Sequence, residues 1–170
     1  PIVTDLSRLV LLWPASFFVS SYMLRNLWVF AMLLLGPLGV YLLLSEIFGK
    51  EKRSSTAALT GSFFYLFNFA TIQYFHAPFE AFVTFYAFLP FGLLFPLCFC
   101  KGKSRSLLKL LLSLILFSTA FYVQTLFVVY LLVLIAFFVP FLTRKDKFLK
   151  FIKLVLFILA VNLYWLLPVG

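Results

Sequence analysis

The run Leu110–Leu142, LLLSLILFSTAFYVQTLFVVYLLVLIAFFVPFL, holds no charged residue, and how it folds decides the architecture. As one helix it would extend about 50 Å, well past a hydrocarbon core of about 30 Å. It would also put the basic clusters Lys101–Lys109 and Arg144–Lys153 on opposite sides of a bilayer. A fold-back near Thr119–Thr125 instead makes two short spans, about 107–121 and 125–142, and returns both clusters to one side. Tyr122, Gln124 and Thr125 are the polar groups placed to line that turn.

The same logic extends outward. A helix needs about 20 apolar residues to cross the hydrocarbon core. Stretches 27–48, 56–75, 79–99 and 148–168 meet that need, so the sequence predicts an all-α, polytopic transmembrane bundle of about six spans. Gly36-Pro37 predicts a kink in the first span, because proline removes a donor and clashes one turn back. Glu46 stands four residues before Lys50, the spacing of a helical ion pair. Asn68, Thr71 and Gln73 interrupt the second span near its end. Residues 6–24 place Leu6, Leu9, Val10, Trp13 and Phe17 near helical spacing. This predicts an amphipathic helix lying at the membrane interface, with a seventh span as the alternative reading.

Composition agrees. The chain is 65% hydrophobic with 25 Phe and only 11% charged, whereas a soluble domain carries about a quarter charged residues. A chain of this length cannot bury so much apolar surface in one globular core. The net charge of +9 falls mostly in the short gaps between apolar runs. Twelve of the fourteen Lys and Arg lie in the 50–53, 101–109 and 144–153 segments, and the positive-inside rule makes that face cytoplasmic. Nucleic acid is excluded as a partner, because no base-stacking alternation of basic and aromatic residues occurs. Membrane lipids are the expected partners. The chain opens on Pro1 without a signal peptide, which is expected of one transmembrane domain, 1–170, from a longer membrane protein. Cys98 and Cys100 have neither zinc nor disulfide-framework spacing. Juxtamembrane cysteines can carry palmitate, but two small apolar residues at a helix end is the favoured reading.

Against this background the window Asn68–Phe82, NFATIQYFHAPFEAF, concentrates rare polar groups, including the single histidine, His76, and Glu80. The topology puts them on the face opposite the basic loops, with Asp5, Arg8 and Arg25. Each has an ordinary structural explanation. Pro78 starts a helix whose dipole favours Glu80 in its first turn. Asp5 caps the helix that begins at Leu6. The arginines anchor at the interface, His76 is solvated there, and the Asn68 and Gln73 amides bond to neighbouring helices. The functional alternative is a polar cavity open to the outside. There Glu80 with His76 holds a sugar hydroxyl, a cation or a phosphate, and Arg8 or Arg25 grips a lipid phosphate through its planar guanidinium. A single histidine cannot build a multi-histidine metal site, and no Gly-rich phosphate loop is present.

Ala57–Leu94, AALTGSFFYLFNFATIQYFHAPFEAFVTFYAFLPFGLL, resembles a pattern in large polytopic glycosyltransferases of the GT-C type. In those proteins a span ends in Phe-Asn-Pro, a His-bearing outer loop follows, and the next span carries Leu-Pro. Asn162–Pro168, NLYWLLP, is similar to the Asn-x-x-Trp-Leu-x-Pro closing a later span. Phe69 stands where Pro would follow Asn68. The resemblance implies a sugar transferase on the extracytoplasmic face using a polyprenyl-phosphate-linked sugar donor. It further implies a catalytic carboxylate in the first outer loop beside an interfacial helix such as 6–24. That loop is expected mostly to precede Pro1, with the usual catalytic carboxylate upstream; Asp5 lies near it, and Asp5 and Glu80 are the candidate catalytic residues within the chain. His76, Arg8 and Arg25 are the candidate substrate-binding ones. No cofactor is identified. A transporter segment and a non-catalytic scaffold are the competing functions. Prolines 37, 90 and 96 can break helices as in transporters, but no charge sits near the centre of a span, as ion coupling would require.

Overall fold

A computed structural model describes residues 5–49, 52–76, 78–141 and 145–166. Among them the chain is all-α, with no strand. Helix α1 covers Leu6–Ser16 and buries none of its residues. Ser20 then caps α2, its hydroxyl accepting from the Met23 amide at 3.4 Å. Helix α2 therefore spans Ser21–Phe48 and starts earlier than the predicted 27–48. The predicted interfacial segment 6–24 is correspondingly divided between α1, a turn and the first residues of α2. Arg25 does not delay α2, because its long side chain reaches a carboxylate and a carbonyl at the helix end. Proline 37 lies inside a continuous α2.

Gly49, at φ +89°, ends α2 in a conformation that glycine alone adopts without strain. Helix α3, Lys52–Leu66, returns antiparallel to α2. Ser54 donates to Gly49 O at 2.5 Å, and Ser62 donates to Pro37 O at 2.7 Å. The predicted span 56–75 is broken at residues 67–68, and α4, Phe69–His76, completes the return. Asn68 repairs the break through its own backbone rather than through a neighbouring helix. Its amide nitrogen donates to Tyr65 O at 2.8 Å, while its Oδ1 accepts from the Thr71 amide at 3.0 Å.

Helix α5, Glu80–Cys100, is the core of the molecule. It runs parallel to α2, so both helices begin at one end and finish at the other. Near the start Trp28 Nε1 donates to Thr84 Oγ1 at 3.0 Å, and beyond the finish Lys101 reaches Glu46. A Cβ on Gly36 would collide with the Tyr86 ring, and one on Gly39 with Pro90 and Phe91, so small residues let the two helices approach. Pro90 and Pro96 free the carbonyls four residues earlier, Tyr86 and Gly92. Tyr65 Oη donates to Tyr86 O at 2.8 Å, and Tyr130 Oη donates to Gly92 O at 3.0 Å. Tyrosines from two other helices thus satisfy what the prolines release.

The uncharged run folds back, as its length requires. Helix α6, Ser106–Leu116, is followed by a 3-10 turn at Ser118–Tyr122 and by α7, Gln124–Phe138. A second 3-10 turn, Val139–Phe141, follows, and residue 142 of the predicted span lies outside the described residues. Phe88, fully buried, receives Phe117, Phe121 and Tyr130 with ring centroids at 6.1, 5.2 and 4.9 Å. The turn therefore docks on the first half of α5. Thr119 is buried there, whereas Tyr122, Gln124 and Thr125 are exposed. Helix α8, Lys145–Leu166, packs Phe151 on Phe138 at 5.3 Å and carries Tyr164 back to a cavity beside α1. The predicted residues 167 and 168 lie outside the described residues.

By length and composition, α2 and α5 are each able to cross a bilayer, while α6 and α7 are apolar but shorter.

Candidate functional site

Two clusters of charge mark the two ends of the bundle. Arg25 and Glu46 lie about 31 Å apart along α2 at 1.5 Å per residue. At the finishing end, Glu46 receives Lys101 Nζ at 3.0 Å and Lys103 Nζ at 2.5 Å. That carboxylate holds the Lys103 ammonium above the usual lysine range. The expected partner, Lys50, lies outside the described residues.

At the starting end the candidate residues converge. Asp5 and Arg8 stand one helical turn apart in and before α1, and Arg8 Nη2 donates to Asp5 Oδ2 at 2.6 Å. Arg8 Nη1 also lies 3.5 Å from Glu80 Oε1. Arg25 Nε reaches the same Glu80 oxygen at 2.9 Å, and Arg25 Nη2 donates to Pro78 O at 2.9 Å. Glu80 is the first residue of α5, with Phe79 at the cap position and Pro78 outside the helix. Asp5 forms no side-chain cap on α1. Its Oδ1 instead accepts from Thr119 Oγ1 at 3.2 Å. Ser7 and Ser118 hydroxyls join at 2.8 Å, which further ties α1 to the turn.

His76 is not brought into this group. It closes α4 with its side chain exposed and makes no hydrogen bond or ion pair among the described residues. Thr119 was not signalled as a site residue by the sequence. Its trace there is the Ser118-Thr119 hydroxyl pair inside an uncharged run.

A cavity of about 600 Å³ opens beside the cluster, between α1 and α2. Arg8, Arg25 and Glu80 supply its charge, and Leu9, Trp13 and Leu24 part of its apolar wall. The Arg8 and Glu80 side chains are 19% and 27% exposed, while Arg25 is 50% exposed. Arg8 Nε is buried and meets no acceptor among the described residues. Two guanidiniums and two carboxylates leave the cluster neutral.

A second cavity of about 560 Å³ lies on the other side of α1. It is apolar, with Leu6, Leu11, Leu112 and Ile115 in its wall and Ser7, Ser118 and Tyr164 as its polar members. Val10 faces both cavities, so α1 is the partition between them.

No family model matches the chain, and neither a curated protein nor a solved structure is significantly similar to it.

Proposed function

We propose that the chain is the membrane-embedded bundle of a GT-C-like glycosyltransferase that moves a sugar from a polyprenyl-phosphate-linked donor to an acceptor on the extracytoplasmic face. The observation that carries this reading is the convergence of Asp5, Arg8, Arg25 and Glu80, from three separate segments, beside a cavity at one end of two bilayer-length helices. Exposed apolar side chains support the membrane setting. Phe30 and Leu34 on α2, Phe64 on α3, Leu112 on α6, Leu132 on α7 and Leu156 on α8 are between 57% and 76% exposed. Such a surface is a liability in water and ordinary in lipid. The separation of the two charge clusters, about 31 Å, matches the hydrocarbon thickness.

In this reading the basic end faces the cytoplasm and the neutral end faces outward. The donor phosphate takes Arg25 and the Arg8 donors, which offer planar, bidentate bonding. Glu80, displaced from Arg25, becomes free to accept the proton of the acceptor hydroxyl. The acceptor oxygen forms its bond to the anomeric carbon as the carbon–oxygen bond to phosphate breaks. The leaving phosphate keeps that electron pair, and its growing charge is stabilised by the guanidiniums. Asp5 positions Arg8.

The mutual pairing of all four charges favours a second reading, a structural clasp that holds α1 to the bundle. Binding of undecaprenyl phosphate to the full chain in nanodiscs, followed by Trp13 fluorescence in a variant carrying Trp28→Phe and Trp165→Phe, separates the two. The transferase reading expects Arg25→Gln to weaken binding at least ten-fold with the fold intact. Unchanged binding in Arg25→Gln, with release of α1 in Arg8→Gln, which removes the α1 partner of Glu80, selects the clasp.

A further inference from the structure

The neutral cluster leaves twelve basic and three acidic residues, and the whole net charge of +9, to the rest of the chain. A third cavity, of about 310 Å³, lies among that charge, where α2 and α5 end and α6 begins. Its rim carries Lys103, Ser104, Lys109 and the Glu46 carboxylate, and its wall is Leu42, Leu94 and Phe95. Glu46 is engaged by Lys101 and Lys103. Neither Lys109 nor Arg105 pairs with a carboxylate among the described residues. Arg105 is exposed on the connecting loop in a left-handed conformation, φ 59°.

We propose that this cavity is a binding site for the headgroup of an anionic glycerophospholipid, one phosphate held between Lys103 and Lys109 with an acyl chain along α2. The site lies at the opposite end from Arg25 and goes beyond the transferase reading, sharing with it only the membrane setting. A lipid rather than a free anion follows from the wall. Leu42 continues along α2 into Leu38 and Leu34, one turn apart and 40%, 49% and 70% exposed, an apolar ridge running from the rim toward the middle of the helix. A soluble phosphate has no use for that ridge, and a phospholipid spans rim and ridge together. Basic recesses between helices at the cytoplasmic surface suit such headgroups, each cation contributing about five-fold in affinity. Glu46 opposes binding by occupying two of the ammonium groups, and so sets how strongly the site is charged.

Cys98 lines the same cavity and reports its occupancy. The full chain carrying Cys100→Ser is reconstituted in palmitoyl-oleoyl phosphatidylglycerol or in phosphatidylcholine with the same chains, and alkylation of Cys98 by N-ethylmaleimide is timed. Alkylation is expected to be slower in phosphatidylglycerol by about five-fold or more. In K103Q/K109Q the difference between the lipids collapses, although the bilayer's surface potential is unchanged. In E46Q, which releases Lys101 and Lys103, the protection deepens, an outcome that a loosened fold cannot mimic. Equal rates in the two lipids, or undiminished protection in K103Q/K109Q, overturns the proposal. Protection in phosphatidylcholine by millimolar inorganic phosphate assigns the site to a free anion and also overturns it. None of these outcomes bears on undecaprenyl phosphate binding at Arg25.

Discussion

Tyr130 and Pro96 give a sharp test of how the bundle is held together. Proline 96 has no N–H to donate to the Gly92 carbonyl, and the Tyr130 hydroxyl takes that role at 3.0 Å with its side chain fully buried. Tyr130→Phe removes the hydroxyl with almost no change in volume. It leaves a buried carbonyl with no donor, which costs about 1–3 kcal/mol. Hydrogen bonds between membrane helices measure lower, about 0.6 kcal/mol on average and about 1.7 at most. Because this carbonyl has lost its helical partner as well, a value near the upper limit, about 1.5 kcal/mol, is expected. Pro96→Ala returns an N–H one turn away. In that background the carbonyl keeps one bond when the hydroxyl goes, and Tyr130→Phe costs only about 0.5 kcal/mol. The double-mutant cycle therefore carries a coupling of about 1 kcal/mol. Reversible unfolding in bicelles by steric trapping measures all four corners. Equal costs of Tyr130→Phe in both backgrounds would refute the reasoning.

Further outcomes are expected elsewhere. A cycle on Arg25 and Glu80, with half of the arginine exposed, yields a coupling of about 0.5–1 kcal/mol that falls with added salt, read by the same unfolding assay. Gly36→Ala pushes a methyl into the Tyr86 ring and destabilises by about 1–3 kcal/mol, visible as a lowered melting temperature in detergent, whereas Gly102→Ala, with open space but a φ of 75°, costs about 1 kcal/mol. Asn68→Ala removes both bonds that repair the α3–α4 break and costs about 1 kcal/mol, with faster amide exchange expected at Thr71. Single cysteines at Pro78 and at Ser104, in a background without Cys98 and Cys100, react with a membrane-impermeant maleimide from opposite sides of sealed vesicles. Labelling of both from one side contradicts the membrane orientation.

The fold-back of the uncharged run was legible because helix rise and bilayer thickness leave few alternatives, and the chain turns at residues 117–123. The interruption near Asn68 was legible as polarity inside an apolar run. The start of α2 was not, since a weak cap at Ser20 and an arginine that reaches back to the helix end leave the apolar pattern blurred. At the site, charge asymmetry groups Asp5, Arg8, Arg25 and Glu80 on one side. Their pairing depends on three distant segments meeting, which no local spacing encodes. Glu46 shows the same limit. Helical spacing points to Lys50, which lies outside the described residues, and gives no sign of Lys101 and Lys103, which the shared end of parallel α2 and α5 brings to the same carboxylate. Thr119 was hidden because a hydroxyl in a greasy run carries no period.

The two proline-freed carbonyls on α5 have a mechanical consequence. Proline 90 and proline 96 lie on different sides of the helix, so Tyr65 and Tyr130 bolt it from two directions. Rotation or sliding of α5 against α3 or α7 would leave a bare carbonyl in a dry interior. The central mast is thereby denied easy movement. Helix α1, with no buried residue and a handful of polar tethers, carries no such bolt.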